Sequence, residues 1–247
     1  MLRFLFFALF LGFSVPTAIA VESRGLSVPL KASEAQDAKI IEEVQLYSES
    51  YALVIGIDDY NVGWPRLSMA VKDAKSIAEA LETKGFDVTL KLNLNSRQLR
   101  DTLEEFYLIK GENPDARLFV WFAGHGHSQE GEGFLIPTDA PKPSAGGKFY
   151  RKAMSLRRIG EYVRLAASKH SFAVFDSCFS GTVFEAARAL PPVAVTRATT
   201  LPVRQFLTSG DAGQIVSDNG TFRELFIRAL NGEEKADANG DNFLTAS

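Results

Sequence analysis

Two short apolar runs, each followed at once by reactive side chains, constrain this chain more than any other feature. Residues 118–122 precede the sequence Ala-Gly-His-Gly-His, and residues 172–175 precede Asp-Ser-Cys. Runs this short, rich in aromatic and β-branched residues, are typical of buried strands. In an open α/β sheet, the carboxyl ends of parallel strands border one crevice where ligands bind. The sequence therefore predicts that an imidazole and the thiol of Cys178 meet at one edge of a parallel sheet.

The rest of the pattern alternates between strands and helices. Apolar or alternating runs predict four more strands, at residues 51–58, 86–92, 134–136 and 205–208. Apolar residues spaced by three and four predict four helices, at residues 68–84, 96–108, 155–166 and 221–231. The residues expected to cap these helices are Ser68, Ser96, Ser155 and Thr221. This alternation favours an α/β fold around a mostly parallel sheet.

The N-terminus has the pattern of an export signal. A short basic start leads into an apolar stretch at residues 4–15 and a small-residue site ending at Ala20, which predicts a signal peptide over residues 1–20. The stretch is short for a membrane span, and an uncleaved anchor is the alternative. Residues 21–50 are polar and are interpreted as a partly helical pro-segment or N-terminal arm. We therefore expect a secreted or periplasmic protein with no stable membrane association after cleavage.

Composition limits the class of protein. A hydrophobic share of 46% suits one globular domain, which we place at residues 51–247. The net charge of −3 provides no basic surface for nucleic acid. Cys178 is the single cysteine, whereas exported proteins usually use cysteines in pairs. A single cysteine is either a buried apolar residue or a reactive thiol, and its place after a predicted strand favours the reactive thiol.

The side chains at the two strand ends suit nucleophilic catalysis. A thiol attacks as the thiolate, and a neighbouring imidazole can take its proton. His125 and His127 lie two residues apart and share a face if the chain is extended, so the residues alone leave the choice of base open. A zinc site formed by these two histidines with Asp176 or Cys178 is one alternative. A purely structural role for all of these residues is another.

Several stretches resemble the caspase-like cysteine peptidases, especially metacaspases and their bacterial relatives. They are Tyr-Ala-Leu-Val-Ile-Gly-Ile-Asp at residues 51–58, Gly-His-Gly at residues 124–126, Phe-Leu-Ile-Pro-Thr-Asp-Ala at residues 134–140, and Asp-Ser-Cys-Phe-Ser-Gly at residues 176–181. The resemblance covers nearly all of the chain from residue 51 onward. It implies the fold of that family, a caspase-hemoglobinase-like α/β/α sandwich.

The resemblance also implies roles for individual residues. Cys178 matches the nucleophile, and His125 matches the general base because the family's histidine lies between two glycines. The backbone N–H groups of Gly126 and Cys178 would form the oxyanion hole. Asp73 and Asp176 match acidic residues of the pocket for the residue before the cut. The resemblance thus implies a cysteine endopeptidase that cuts proteins or peptides after Arg or Lys through a thioester intermediate.

The chain departs from the family pattern at several positions. His127 and Phe179 stand where the family usually has a small or polar residue and often a histidine, respectively. The acidic residues of the family's calcium site do not line up clearly, and Glu185 lies in a region where a calcium-binding member would have Asp. No cofactor is therefore expected, and calcium activation is the alternative. The chain ends where the family usually continues with another helix, which indicates a fragment or a truncated gene product. A catalytically silent binding or signalling domain is therefore the alternative function.

One segment after Cys178 is a candidate for self-cleavage. Residues 187–202 are rich in Ala, Pro, Thr and Arg and are interpreted as an exposed linker. Exposed linkers are preferred sites of proteolytic nicking. Arg197, and after it Arg188, would suit a pocket for basic residues.

Overall fold

The structure is a computed structural model that describes residues 25–31, 40–177, 203–209 and 218–233. Within these ranges the strands are β1 (Leu26–Lys31), β2 (Ile40–Tyr47), β3 (Glu49–Gly56), β4 (Asp87–Leu92), β5 (Ala116–Ala123), β6 (Gly126–Gln129), β7 (Glu132–Leu135), β8 (Met154–Ser155), β9 (His170–Asp176) and β10 (Val203–Thr208). The α-helices are α1 (Ala70–Thr83), α2 (Ser96–Leu108), α3 (Gly147–Lys152), α4 (Leu156–Leu165) and α5 (Thr221–Leu230). Two 3₁₀ turns cover Lys110–Glu112 and Pro143–Ala145.

A five-stranded sheet in the order β10-β9-β5-β3-β4 forms the centre of the fold. All of its neighbouring pairs are parallel, which confirms the predicted α/β class. The apolar runs in β3, β5 and β9 are buried on both faces of the sheet. Continuous rather than alternating hydrophobicity is the pattern expected when helices cover both faces. β5 and β9 are neighbours, and Ala123 pairs with Asp176 at their carboxyl ends.

Helices cover the two faces of the sheet in separate layers. α1 and α5 pack on the face that carries Val54 and Trp121. α2 and α4 pack on the opposite face, against Leu53 and Val120. Successive strand residues thus enter different cores, as the two-residue period of a strand requires. The result is the three-layer α/β/α sandwich that the family resemblance implied.

Two smaller antiparallel units flank the central sheet. β6, β7 and β8 form a three-stranded sheet beside the end of β5, and β1 pairs with β2 as a separate two-stranded sheet. The interpretation of residues 21–50 as partly helical is wrong for the described part of that segment, which is strand. No helix in the described part of the chain is long and apolar enough to cross a membrane.

The predicted helices are present, but three of their four N-caps are wrong. Ser155 caps α4 by accepting a hydrogen bond from the N–H of Arg158. α2 is capped one residue earlier than expected, by Asn95, which forms a capping box with Gln98. The N-cap positions of α1 and α5 are Met69 and Gly220, and neither has a side-chain cap. Local backbone geometry therefore decides which residue caps a helix, and the sequence pattern locates that residue only to within one position.

Candidate active site

The carboxyl ends of β5 and β9 bring two of the predicted motifs to one edge of the sheet. β5 ends at Ala123 and leads into His125, while β9 ends at Asp176 and leads into Ser177. The hydroxyl of Ser177 is buried and donates a hydrogen bond to the carbonyl of Gly124 at 2.8 Å. The N–H of Gly124 in turn lies 3.4 Å from the carbonyl of Asp176. The segment before His125 is therefore tied to the segment that leads to position 178.

Cys178 lies outside the described residues, as do the linker at residues 187–202, Phe179 and Glu185. The nucleophile and self-cleavage assignments therefore stay predictions. The structure does place the preceding residue, Ser177, against Gly124.

Gly124 is required because another side chain approaches it closely. A Cβ at this position would lie 2.8 Å from the Oη of Tyr60 and 3.0 Å from the Cζ of Phe122. Contacts this short force one of the groups to move. The same Oη accepts a hydrogen bond from the backbone N–H of His125 at 2.7 Å. The glycine thus lets Tyr60 reach and hold the histidine backbone, a function that the sequence did not reveal.

The ring of His125 is held in one tautomer. Its Nε2 lies 2.8 Å from the carbonyl oxygen of Pro65. A carbonyl can only accept, so Nε2 carries the hydrogen and Nδ1 keeps a free lone pair. The rings of Tyr60 and Trp64 pack beside the imidazole, with centroids 4.6 and 5.3 Å away. This arrangement leaves one nitrogen able to take a proton.

Burial holds the pKa of His125 below its usual value of 6.5. The Pro65 carbonyl opposes this shift, and the positive charge of Lys142 adds to it. Lys142 itself lies over the ring of Trp64, 3.8 Å from its centroid. A lowered pKa keeps the imidazole neutral near pH 7, which is the form that a general base needs.

His127 has a different environment although it lies close by. Its ring contacts the rings of Trp64 and Phe149, each with a centroid distance of 5.8 Å. Burial lowers the pKa of His127, the charge of Lys142 adds to this shift, and the side chain of Gln129 opposes it. Gly126, the residue between the two histidines, opens β6, and its place in an oxyanion hole stays a prediction.

The two predicted pocket carboxylates lie in one charged cluster. Asp73, in the first turn of α1, is buried, and its Oδ1 lies 2.8 Å from the Nε of Arg223. It is therefore not the solvated helix charge that its position would also allow. Asp176 ends β9 on the same face of the sheet, since Val174 two residues earlier packs with α1. Asp218 completes the cluster by accepting hydrogen bonds from the backbone of Ser68 and the hydroxyl of the same residue.

The pKa of the Asp176 carboxyl lies well above its usual value. Burial raises its pKa to about 6, and the nearby hydroxyl of Ser209 opposes this shift. The charges of Asp73 and Asp218 raise this pKa further, and that of Arg223 lowers it. A buried carboxyl near other carboxylates behaves in this way because each charge disfavours the next. These groups are therefore close enough to act on one another.

Sequence reasoning missed Tyr60, Trp64 and Pro65 because their loop had only turn composition. It also missed Asp218 and Arg223. A signal for Arg223 existed, because it lies at helical spacing from the apolar residues Phe226 and Leu230. A charged residue on the packed side of a helix usually has a partner.

Metal ligation has no support in the described residues. Among them, no group of three or more His, Cys, Asp or Glu side chains could hold a metal ion. The zinc alternative that includes Cys178 lies partly outside those residues.

Comparison with curated proteins identifies two distant relatives. The human mucosa-associated lymphoid tissue lymphoma translocation protein 1 is 31% identical over 98 residues, which are 40% of this chain and 12% of the relative. Its mouse homolog is 30% identical over 100 residues, which are 40% of this chain and 11% of the relative. The chain thus matches only about an eighth of the length of these relatives.

A family model, described as the caspase domain, matches residues 49–242. The match covers the central sheet, both histidines, Cys178 and the acidic cluster. It supports caspase-like cysteine peptidase function at the level of the family. The chain belongs to the caspase domain family.

Proposed function

We propose that this protein is a cysteine endopeptidase of the metacaspase type that hydrolyses peptide bonds after Arg or Lys. The observation that carries the proposal is the state of His125. Its Nε2 donates to Pro65, its Nδ1 keeps an unprotonated lone pair, and it lies at the sheet edge where β9 ends two residues before Cys178. A neutral imidazole beside a thiol is the arrangement that generates a thiolate.

The reaction follows from these groups. His125 takes the proton of Cys178, and the thiolate attacks the carbonyl carbon of the scissile bond. The backbone N–H groups of Gly126 and Cys178 stabilise the resulting oxyanion. The C–N bond then breaks, the leaving amine receives the proton from His125, and a thioester remains on Cys178. His125 deprotonates a water molecule, which attacks the thioester carbon. The C–S bond then breaks, the carboxylic acid leaves, and the proton returns from His125 to the Cys178 thiolate.

Specificity for basic residues rests on Asp73 and Asp176. Both lie on the same face of the sheet, near the carboxyl end of β9. Carboxylates match the planar guanidinium of Arg, which favours Arg over Lys. The proposal extends to location, since residues 1–20 have the pattern of a cleaved signal peptide. We place the mature protein outside the membrane, in a secreted or periplasmic setting, with no metal requirement.

Covalent trapping tests the proposed function. The purified protein would be incubated with a peptidyl-Arg chloromethyl ketone, and the labelled residue identified by mass spectrometry. The matched controls are the Cys178→Ala variant and the same peptide with citrulline, a neutral isostere of Arg. Label on Cys178 with the Arg compound, and little with citrulline, supports the proposal. Folded protein that takes no label at Cys178 would instead be a silent caspase-like domain.

A further inference from the structure

The acidic cluster already contains a cation from the chain itself. Arg223 lies in the first turn of α5, and its side chain is only 13% exposed. Its Nε contacts the Oδ1 of Asp73, whose side chain is 4% exposed, at 2.8 Å. Among the described residues, neither of these two buried atoms has a hydrogen-bond partner of proper geometry. The contact is therefore chiefly an attraction between opposite charges.

The position of Arg223 is set by the packing of α5. Phe222 stacks on Trp121 with a centroid distance of 5.6 Å and an interplanar angle of 21°. Phe226 packs on the same indole at 5.2 Å. A Cβ on Gly220 would lie 2.6 Å from the Nη2 of Arg223, so the guanidinium passes close over this glycine. The packing of α5 on Trp121 thus positions the guanidinium of Arg223 beside Asp73.

A second contact holds the same segment on α1. Asp218 accepts hydrogen bonds from the backbone N–H groups of Ser68 and Met69, at 2.6 and 3.2 Å. These two residues directly precede α1, and Asp73 lies in the first turn of that helix. Arg223 and Asp218 therefore attach the start of α5 to the helix that carries the proposed pocket carboxylate.

The cluster combines three carboxylates with one guanidinium. Asp73, Asp176 and Asp218 provide the negative charges, and Arg223 provides the positive one. Lys72, next to Asp73 on α1, also acts on the charge of that carboxyl. A basic substrate side chain would enter this cluster as a second cation facing Asp73. Like charges brought together at a desolvated site oppose binding.

We propose that Arg223 is a specificity-determining residue that competes with the substrate's basic side chain for Asp73 and so sets how strongly the pocket prefers Arg. This inference rests on the proposed function, since it takes the acidic cluster as the pocket for the residue before the cut. Asp176 then carries the larger share of recognition, because Asp73 is already paired. Arg223 weakens the preference of the pocket for a cation.

The test compares peptides that differ only in charge. kcat/KM is measured for matched peptides with Arg or citrulline before the cut, using the full chain and Arg223→Met, which keeps length and removes charge. We expect the Arg-to-citrulline ratio to rise by about tenfold or more in Arg223→Met. Arg228→Met, on the exposed side of the same helix, is the matched control and should leave the ratio unchanged. An unchanged ratio in Arg223→Met, with a lower melting temperature, would mean that Arg223 is only structural.

Removal of one member of a buried pair can prevent folding, so the double variant Asp73→Asn/Arg223→Met is also needed. It removes both charges and leaves no unpaired buried ion. If Arg223 acts through Asp73, the double variant loses the gain in ratio seen in Arg223→Met. In the wild-type background, Asp73→Asn should lower kcat/KM for the Arg peptide less than Asp176→Asn does. Equal losses, or a larger loss in Asp73→Asn, would contradict the competition.

A binding measurement separates this inference from the proposed function. Agmatine, a small alkylguanidinium, is titrated into each variant by calorimetry. Binding that tightens by about tenfold in Arg223→Met supports the competition even if no peptide is cut. In that case the proposed peptidase activity fails while the inference stands. Agmatine binding that is the same in wild type and Arg223→Met overturns the inference whatever the activity.

Discussion

The hydroxyl of Tyr60 is a sharp test of how the candidate base is positioned. Tyr60 is 6% exposed, and its Oη accepts the backbone N–H of His125 at 2.7 Å. Tyr60→Phe keeps the ring that packs on the imidazole and removes only this acceptor. An N–H left unpaired in a buried site costs about 1–3 kcal/mol. In a domain of this size, about 2 kcal/mol corresponds to a fall in melting temperature of about 4–8 °C.

The same substitution should also lower kcat/KM, because the hydrogen bond to Tyr60 holds the backbone of His125 in place. If all of about 2 kcal/mol were lost in the transition state, kcat/KM would fall about 30-fold. We expect a fall of about 3- to 30-fold, mostly in kcat, since Tyr60 contacts the base rather than the acidic cluster. Hydrolysis of an Arg peptide measures the loss, and differential scanning calorimetry measures the change in stability.

Tyr107→Phe is the matched control for this experiment. Tyr107 is fully buried in α2, at the end of the sheet where β9 begins, since its hydroxyl lies near Ser171. Because this hydroxyl has no hydrogen-bond partner among the described residues, its loss should leave kcat unchanged and the melting temperature close to that of the wild type. If Tyr60→Phe lowered stability but kept kcat within twofold of wild type, Tyr60 would not position the base. The acid limb of the pH profile would then also be unchanged.

Three further outcomes are expected. Cys178→Ala and His125→Ala should each abolish hydrolysis of Arg peptides with unchanged circular dichroism, and the double variant should be no worse. His127→Ala should keep much of the activity. If His127→Ala were inactive and His125→Ala active, the roles of the two histidines would be reversed. Because the pKa of Asp176 is raised to about 6, kcat/KM should rise between about pH 5 and 7 more steeply for Arg than for citrulline peptides, and equal slopes would remove the carboxylate from recognition. Active protein should cut itself after Arg197, a product that mass spectrometry should not find in Cys178→Ala; the same fragment in both samples would indicate a contaminating protease.

The raised pKa of Asp176 also has a consequence for stability. Folded protein holds a proton on this carboxyl at pH values where the unfolded chain has released it. The free energy of unfolding that this group contributes therefore decreases as the pH rises from 3.8, the usual pKa of Asp, to about 6. His125 acts in the opposite direction, because its pKa is lowered and its protonation below pH 6.5 favours the unfolded state.

The elements of the fold could be predicted from sequence because their signals are local. β5 and β9 are short runs buried on both faces, and their residues are apolar almost without interruption. α1 and α4 show apolar residues at helical spacing. The β1–β2 pair was missed because its exposed residues, Ile40 and Ile41 among them, show no clear alternation. Pairing between two strands of mixed composition is decided by contacts between them rather than by either sequence.

For the site, the sequence by itself determined which reactive residues follow which strands. The order of β5 and β9 in one parallel sheet then places His125 and Asp176 at a common edge. Only the tertiary structure decided the tautomer of His125, because the carbonyl of Pro65 comes from a loop with no pattern that marks an acceptor. It alone paired Asp73 with Arg223. The pairing arises because α1 and α5 pack on the same face of the sheet, and a buried carboxylate is stable there only beside a cation.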